Sequence, residues 1–251
     1  MTKFQIVSDL HIEYRNNRFH DPLDLITPVA PILIMAGDIG NFYKYEQLKD
    51  YMKKVCEMFD EVIYVPGNSE YYQVVDEKPL SMKILFERML RINENIKNLH
   101  ILNRDSVRIN NVCITGCTLW SKPEVTLPKF IVRIKDMYTS KYANLHKEDK
   151  KYIKKMIKYC SSRDLKLLVV THHCPSFQVI PVNKDTDKYI SLYASNMDSM
   201  LDNKYIHTWI AGHIHVNFDL ITEKGTRLVG NQYGKPRDNI KDFKKNMVIK
   251  V

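Results

Sequence analysis

Glycine is scarce in this chain, eight residues in 251. No tract rich in glycine, serine or proline, no internal repeat and no low-complexity segment divides it. Residues 1–251 therefore read as a single domain rather than as modules on linkers. No run of about eighteen apolar residues occurs, so no segment is expected to span a bilayer. The opening stretch, Met1-Thr2-Lys3-Phe4-Gln5-Ile6-Val7-Ser8-Asp9, lacks the apolar core of a signal peptide and enters a strand-like pattern at once. The five cysteines are an odd number and scattered, which fits reduced thiols better than a disulfide framework. Cys113 and Cys117 lack a second pair of soft ligands nearby and read as part of a buried strand, not a zinc site. These absences point to a soluble, cytoplasmic protein with no membrane partner. Oligomeric state is not legible.

The chain carries 38 Lys and Arg against 29 Asp and Glu, a net charge of +9 that would attract polyanions. The lysines are dispersed over the outer faces of helix-like segments such as 147–158, without a dense basic block interleaved with aromatics. They read as a solvated surface, and nucleic acid stays open as a partner. Short apolar β-rich runs are expected as strands at 4–7, 32–36, 62–65, 112–115, 167–170, 208–211, 220–221, 227–229 and 247–249. Helical patterns fall at 45–59, 80–96, 147–161 and 196–201. In the first, Leu48, Met52, Val55 and Phe59 recur at three- or four-residue spacing and make one apolar face. Alternation of this kind predicts an α/β layered domain. Residues 121–143 and 175–193, the latter with the polar Asn183-Lys184-Asp185-Thr186-Asp187-Lys188, stand out as candidate substrate-facing loops.

Five segments share one grammar, in which an apolar strand runs out and metal-binding residue types follow. Residues 4–7 lead to Ser8-Asp9-Leu10-His11, and 32–36 to Gly37-Asp38. Residues 62–66 lead to Gly67-Asn68-Ser69-Glu70, 167–171 to His172-His173, and 208–211 to Gly212-His213-Ile214-His215. In an open α/β sheet the carboxyl ends of the strands form the ligand-binding edge, where these side chains would converge. Glycine before Asp38, Asn68 and His213 permits tight turns there. A lone Asp-x-His or Gly-Asp is usually a turn or an ion pair. Gly-His-x-His is stronger, and five such segments in series leave the bland explanation little room. Mixed oxygen and nitrogen donors suit Mn²⁺, Fe, Zn²⁺ or Ni²⁺ better than Ca²⁺.

This series, Asp9-x-His11, Gly37-Asp38, Gly67-Asn68, His172 and Gly212-His213-x-His215, resembles the calcineurin-like metallophosphoesterase superfamily. The likeness runs from residue 4 to about 235. It implies a four-layer α/β/β/α sandwich of two mixed β-sheets flanked by helices, with two divalent transition-metal ions, Mn²⁺ first among them, at the carboxyl-end loops. By that resemblance Asp9, His11, Asp38 and His215 hold one ion, and Asp38 bridges to a second completed by Asn68, His172 and His213. His172 is preferred to His173 because it directly follows the strand; His173 would then face the substrate. A metal pair of this kind acidifies a bridging water to hydroxide, which attacks phosphorus in line.

Two departures bear on the substrate. The family's Gly-Asn-His-Glu is here Gly67-Asn68-Ser69-Glu70, and a serine hydroxyl is no acid near neutral pH. Loss of the imidazole weakens monoester hydrolysis more than diester hydrolysis, so the reading tilts to a phosphodiesterase, with Asp38, Asn68 and His173 as candidate catalytic residues, Ser69, Tyr71 and His173 as candidate substrate contacts, and His173 or Tyr71 as the replacement for the missing group. Gly37-Asp38-Ile39-Gly40 lacks the Asp-Arg-Gly of the protein phosphatase branch. Tyr64-Val65-Pro66-Gly67-Asn68-Ser69-Glu70-Tyr71-Tyr72 and Thr171-His172-His173-Cys174-Pro175-Ser176 look like those of compact bacterial-type members. A small phosphorylated or nucleotide-like molecule is the expected substrate; a nuclease and a weakly active protein-binding scaffold are the alternatives. Glu70 is expected to orient a ligand from behind, and Trp120 and Trp209 to lie in the core or a pocket wall. His20, His100, His146 and His207 read as surface or helix-terminal residues. Asn231-Gln232-Tyr233-Gly234 either lines the site or forms a plain turn.

Overall fold

The computed structural model describes residues 1–15, 21–181 and 188–251. His20 and the polar stretch 183–187 lie outside the described residues. The first sheet contains β1 (Lys3–Val7), β2 (Ile32–Ala36), β3 (Glu61–Val65) and β4 (Leu99–Ile101), all parallel, with β11 (Val248–Lys250) antiparallel beside β1. The second has the order β5 (Asp105–Ile109), β6 (Val112–Cys117), β7 (Lys166–Thr171), β8 (Ile206–Ile210), β10 (Arg227–Gly230) and β9 (Phe218–Ile221). Its outer pairs are antiparallel and its inner pairs parallel.

Strands buried on both faces read as continuous apolar runs, which is why the central strands were legible. Alternate residues still divide between two layers. Ile32, Ile34 and Ala36 meet Ile63, Val65, Ile114, Leu168, Val170 and Ile210 between the sheets. Leu33, Met35, Val62 and Tyr64 point the other way, onto α1 (Tyr45–Glu57) and α2 (Met82–Asn93) through Leu48, Met52, Val55, Leu85 and Met89. On the far side Leu167, Val169 and Trp209 pack against α3 (Thr139–Ser161) and the short α4 (Asp198–Leu201). The expected α/β/β/α layering is what forms. Each fully buried Leu or Ile in these layers contributes about 1.5–3 kcal/mol relative to exposure.

Three elements differ from expectation. The short β4 and the edge strand β5, whose Asp105–Ile109 is half exposed, carry too little apolar pattern to read. Helix α3 begins at Thr139, well before residue 147, because its first buried face is Tyr142, His146 and Asp149 rather than aliphatic. His146 is accordingly buried rather than superficial, with Nδ1 2.9 Å from the Leu119 carbonyl. Asp149 accepts from Arg104 at 2.8 Å; burial pushes its carboxyl up to about 6 against the pull of that guanidinium. Residues 139–143, expected as loop, therefore belong to a helix that braces the second sheet.

Cys113 and Cys117 lie in buried β6, and all five cysteines are free. Among the described residues no helix is long and apolar enough to cross a membrane. The sheets pack closely at Gly116, where a Cβ would stand 2.4 Å from Val65 Cγ2 and 2.9 Å from Leu102 Cβ. Gly116→Ala should destabilise the protein by about 1–3 kcal/mol, read as a lower urea midpoint with an unchanged slope.

Candidate metal centre

The parallel strands of both sheets deliver their carboxyl ends to one edge. Backbone bonds stitch the loops there: Asp9 N–H to Gly37 O at 2.9 Å, His11 N–H to Asp38 O at 3.0 Å, Gly212 N–H to His172 O at 2.9 Å. Thr118 Oγ1 donates to Pro66 O at 2.8 Å, tying the loop after β6 to the loop after β3. Five candidate ligands, Asp9, His11, Asp38, His213 and His215, have φ between 47° and 73°. Left-handed backbone at non-glycine residues is uncommon and tolerated best by Asn, Asp and His. Clustered in this way it turns each side chain sharply inward from its strand end.

The glycines act mainly by absence of a side chain. A Cβ at Gly67 would lie 2.2 Å from Asp38 Oδ1, one at Gly212 2.5 Å from Asp9 Oδ2, and one at Gly37 2.4 Å from His172 Nδ1. Gly37 alone of the three needs a positive φ as well, at 85°. For Gly67 and Gly212 the requirement is close approach rather than the tight turn expected from sequence.

Eight side chains meet at this edge. The ligand-type atoms of Asp9, His11 and His215 lie within 4.8 Å of one another, as do those of Asp9, Asp38 and His172, and those of His172, His173 and His213. His215 Nε2 stands 3.2 Å from both Asp9 Oδ1 and His11 Nε2. His172 Nε2 stands 3.2 Å from both Asp38 Oδ1 and His213 Nδ1. Asp38 is the hinge between the groups, with Oδ2 3.7 Å from His11 Nε2. Asn68 is 4 % exposed, and its Oδ1 is buried without a hydrogen-bond partner among the described residues, although Nδ2 donates to Tyr72 Oη at 2.9 Å.

These residues fit a pair of cations. An unpaired buried carbonyl is costly, and Asn68 Oδ1 offers the lone pair a metal would take. Each imidazole is fixed from behind, as metal-binding histidines usually are. His11 Nδ1 is 3.0 Å from Glu13 Oε1 and His215 Nδ1 is 2.5 Å from Asp238 Oδ2. His172 Nδ1 faces Ala36 O at 3.0 Å and His213 Nε2 faces Leu192 O at 3.1 Å. Charge is balanced within the cluster by protons. Burial lowers the His172 pKa, but Asp38 overrides it and lifts it to about 9. His215 also rises to about 9 against burial, through Asp238 and Asp9. Burial and the charge on His172 bring His213 down to about 3. Asp38 stays well below the ordinary carboxylate range, since His172 and His11 outweigh its burial. Cations bound here would stand where these protons do.

Three expected substrate contacts are placed differently. His173 is fully buried, with Nε2 2.8 Å from Tyr142 Oη and Nδ1 3.3 Å from Thr118 O, so both ring nitrogens are engaged. Its ring stacks on His213 at 4.0 Å between centroids, and it braces that ring instead of facing a substrate. Tyr71 is buried against Phe42 and Trp120 because its side chain turns into the core. Ser69 is 2 % exposed; its Oγ donates to Asp38 Oδ2 at 2.6 Å and its N–H to Asp38 Oδ1 at 2.8 Å. Its hydroxyl thus points at a ligand, not at open space.

Glu70 does hold the loops from behind: it accepts from Ile39 N–H, Tyr64 Oη and Gly67 N–H, at 2.9, 2.6 and 2.9 Å. Trp209 is a core residue donating to Thr171 Oγ1, and Trp120 packs on His173. Gln232 accepts from His215 N–H at 2.7 Å, so residues 231–234 support the site. Sequence reading missed Tyr72, Tyr142, Glu13, Asp238 and Arg133. Glu13 extends the Asp9-x-His11 spacing by one strand period and was findable. Asp238 sits in a turn with no motif to flag it. A cavity of about 890 Å³ opens over the cluster, lined by Asp38, Asn68, His213 and His215 and walled by Tyr14, Tyr72, Arg133, Tyr193 and Lys235.

Residues 2–217 match the sequence profile of the calcineurin-like phosphoesterase family, and the chain belongs to that family. It is 26% identical to an uncharacterised protein of Acanthamoeba polyphaga mimivirus, over 97% of this chain and 95% of the relative. An uncharacterised protein of Methanocaldococcus jannaschii is 27% identical over 88% of this chain and 84% of its own. Among solved structures the fold is similar to the phosphopantetheinyl hydrolase of Mycobacterium tuberculosis, with TM-score 0.71 and 15% identity, covering 94% of this chain and 91% of that one. It is also similar to a dimetal phosphatase from Danio rerio, with TM-score 0.56 and 13% identity, covering 91% and 86%. The family implies a metal-dependent phosphoesterase using two divalent ions.

Asp238→Asn keeps the shape of the support for His215 and removes its charge. It should weaken metal binding about 10–100-fold, measured by chelator competition, while thermal stability of the chelated protein changes little.

Proposed function

We propose that the chain is a phosphodiesterase acting on small nucleotide-like substrates, residues 1–251 working as one domain with two Mn²⁺ ions. Asp9, His11, Asp38 and His215 would hold one ion, and Asp38, Asn68, His172 and His213 the other. The ions would supply the nucleophile and polarise the phosphoryl oxygens. The chain's own part is orientation. Asp38, pinned by both donors of Ser69, keeps one oxygen toward His11 and the other toward His172. Tyr72 accepts from the Asn68 amide N–H, which leaves Oδ1 for an ion. His173, its pKa held well below the ordinary value by burial and by the neighbouring imidazoles of His213 and His172, packs on His213 and fixes its plane.

The observation that carries the diester reading is the Ser69 hydroxyl bond to Asp38 at 2.6 Å. That group is committed to a ligand, and it could not protonate a leaving alkoxide near neutral pH in any case. A monoester with a poor leaving group needs that proton most. His173 is buried with both ring nitrogens engaged, and Tyr71 is buried against Phe42 and Trp120, so neither makes up the deficit.

Protein purified without chelator should contain about two transition-metal ions per chain by elemental analysis. Bis(p-nitrophenyl) phosphate should be turned over in preference to p-nitrophenyl phosphate, and Ser69→His should raise monoester turnover selectively, by about 10²-fold at most. A strong wild-type preference for the monoester contradicts the diester reading. Absence of metal, even after Mn²⁺ is added, contradicts the dimetal one.

A further inference from the structure

The metal chemistry leaves the cationic side chains of the cavity unused, and Arg133 is the one set on an aromatic ring beside the candidate ligands. Arg133 lies between β6 and α3, and its backbone is pinned: its carbonyl accepts from Gln73 N–H at 2.7 Å, and the flanking Val132 and Ile134 are buried. Its guanidinium carbon stands 5.6 Å from the centroid of the Tyr72 ring. The side chain makes no hydrogen bond or ion pair with any described residue. An arginine held over an aromatic face by a cation–π contact keeps its five N–H donors for a ligand. Arg133 lines the cavity that Asp38, Asn68, His213 and His215 also line.

The same tyrosine connects the two features. Tyr72 Oη takes the Asn68 amide N–H at 2.9 Å while its ring face carries Arg133. The guanidinium therefore sits about one aromatic ring away from the ligand cluster, not on it, where it would meet an anionic group other than the phosphoryl under attack. The cavity also carries Lys235 and Arg237. Its carboxylates are spoken for, Asp38 by Ser69 and the histidines, Asp238 by His215 and the Lys235 N–H. Arg237 stands 3.8 Å from Asp238 Oδ1, which leaves Arg133 and Lys235 as the cavity's positive side chains with no acidic partner among the described residues.

We propose that Arg133, set on Tyr72, binds a second phosphate group of the substrate, so that the preferred substrate is a phosphoester bearing another phosphate. This rests on the phosphodiesterase reading above. A guanidinium forks onto two phosphate oxygens, which selects this group over a neutral ester arm.

Metal-loaded enzyme should be assayed on the dinucleotides ApA and pApA, which differ only in the 5′-phosphate. Wild type should favour pApA by about tenfold or more in kcat/KM, mainly through KM, as expected for charge-assisted hydrogen bonds. Arg133→Gln should abolish that preference, with unchanged metal content and unchanged rates on ApA and bis(p-nitrophenyl) phosphate. Arg133→Lys should recover part of it, charge without the fork. Equal turnover of the pair by wild type, or a preference that survives in Arg133→Gln, overturns the proposal. If no diester is cleaved, the diesterase reading fails separately. The site is then judged by titration calorimetry with adenosine 3′,5′-bisphosphate against adenosine 5′-monophosphate. A tighter Kd for the bisphosphate, lost in Arg133→Gln, supports it, and equal Kd values reject it.

Discussion

The distance between Gly67 and the Asp38 carboxylate governs the site. A single added carbon would lie 2.2 Å from Asp38 Oδ1 and 2.8 Å from His172 Cδ2. No side chain other than hydrogen allows the ends of β2, β3 and β7 to come so close. The same constraint recurs at Gly212 against Asp9 and at Gly37 against His172. Once strand ends are this near, their ligands cannot leave along the strand direction, and five of them turn through left-handed backbone instead. Such conformations cost of order 1 kcal/mol each. The apolar layer between the sheets offsets that cost and holds the strand ends rigid.

Electrostatics then divides the cluster into two differently supported halves. His11 and His215 are backed by the carboxylates of Glu13 and Asp238, whereas His172 and His213 are backed by the carbonyls of Ala36 and Leu192. A carboxylate behind an imidazole makes it the stronger donor. Asp38 joins the halves, and Ser69 orients Asp38, which places the unusual residue of the sequence at the centre of the cluster and not at its substrate face.

Much of this was readable from residue order. Strands buried on both faces announce themselves as apolar runs, and a ligand-type residue directly after each run locates the edge where they meet. That logic found the layers and brought Asp9, His11, Asp38, Asn68, His172, His213 and His215 to one place. It failed where a residue's direction depends on partners distant in sequence. Tyr142 reaches His173 from a helix whose first buried face is polar, so neither the start of that helix nor the fate of that histidine shows in the pattern. Tyr71 and Tyr72 are adjacent and chemically alike, yet one is in the core and the other on the cavity wall. Asp238 has no motif around it at all.

The family match ends at residue 217, after the last candidate ligand. The support for those ligands does not end there. Gln232 holds the His215 backbone, Asp238 holds its ring, and Asn231 donates to Ile6 O beside the first ligand strand. β11 closes the first sheet against β1, and Ser8 bridges to Gln232. A piece cut at the family boundary would contain every proposed metal-binding residue and lack the wall that aims them. The unit that holds the candidate ligands is longer than what the family profile outlines, and its two ends lie side by side.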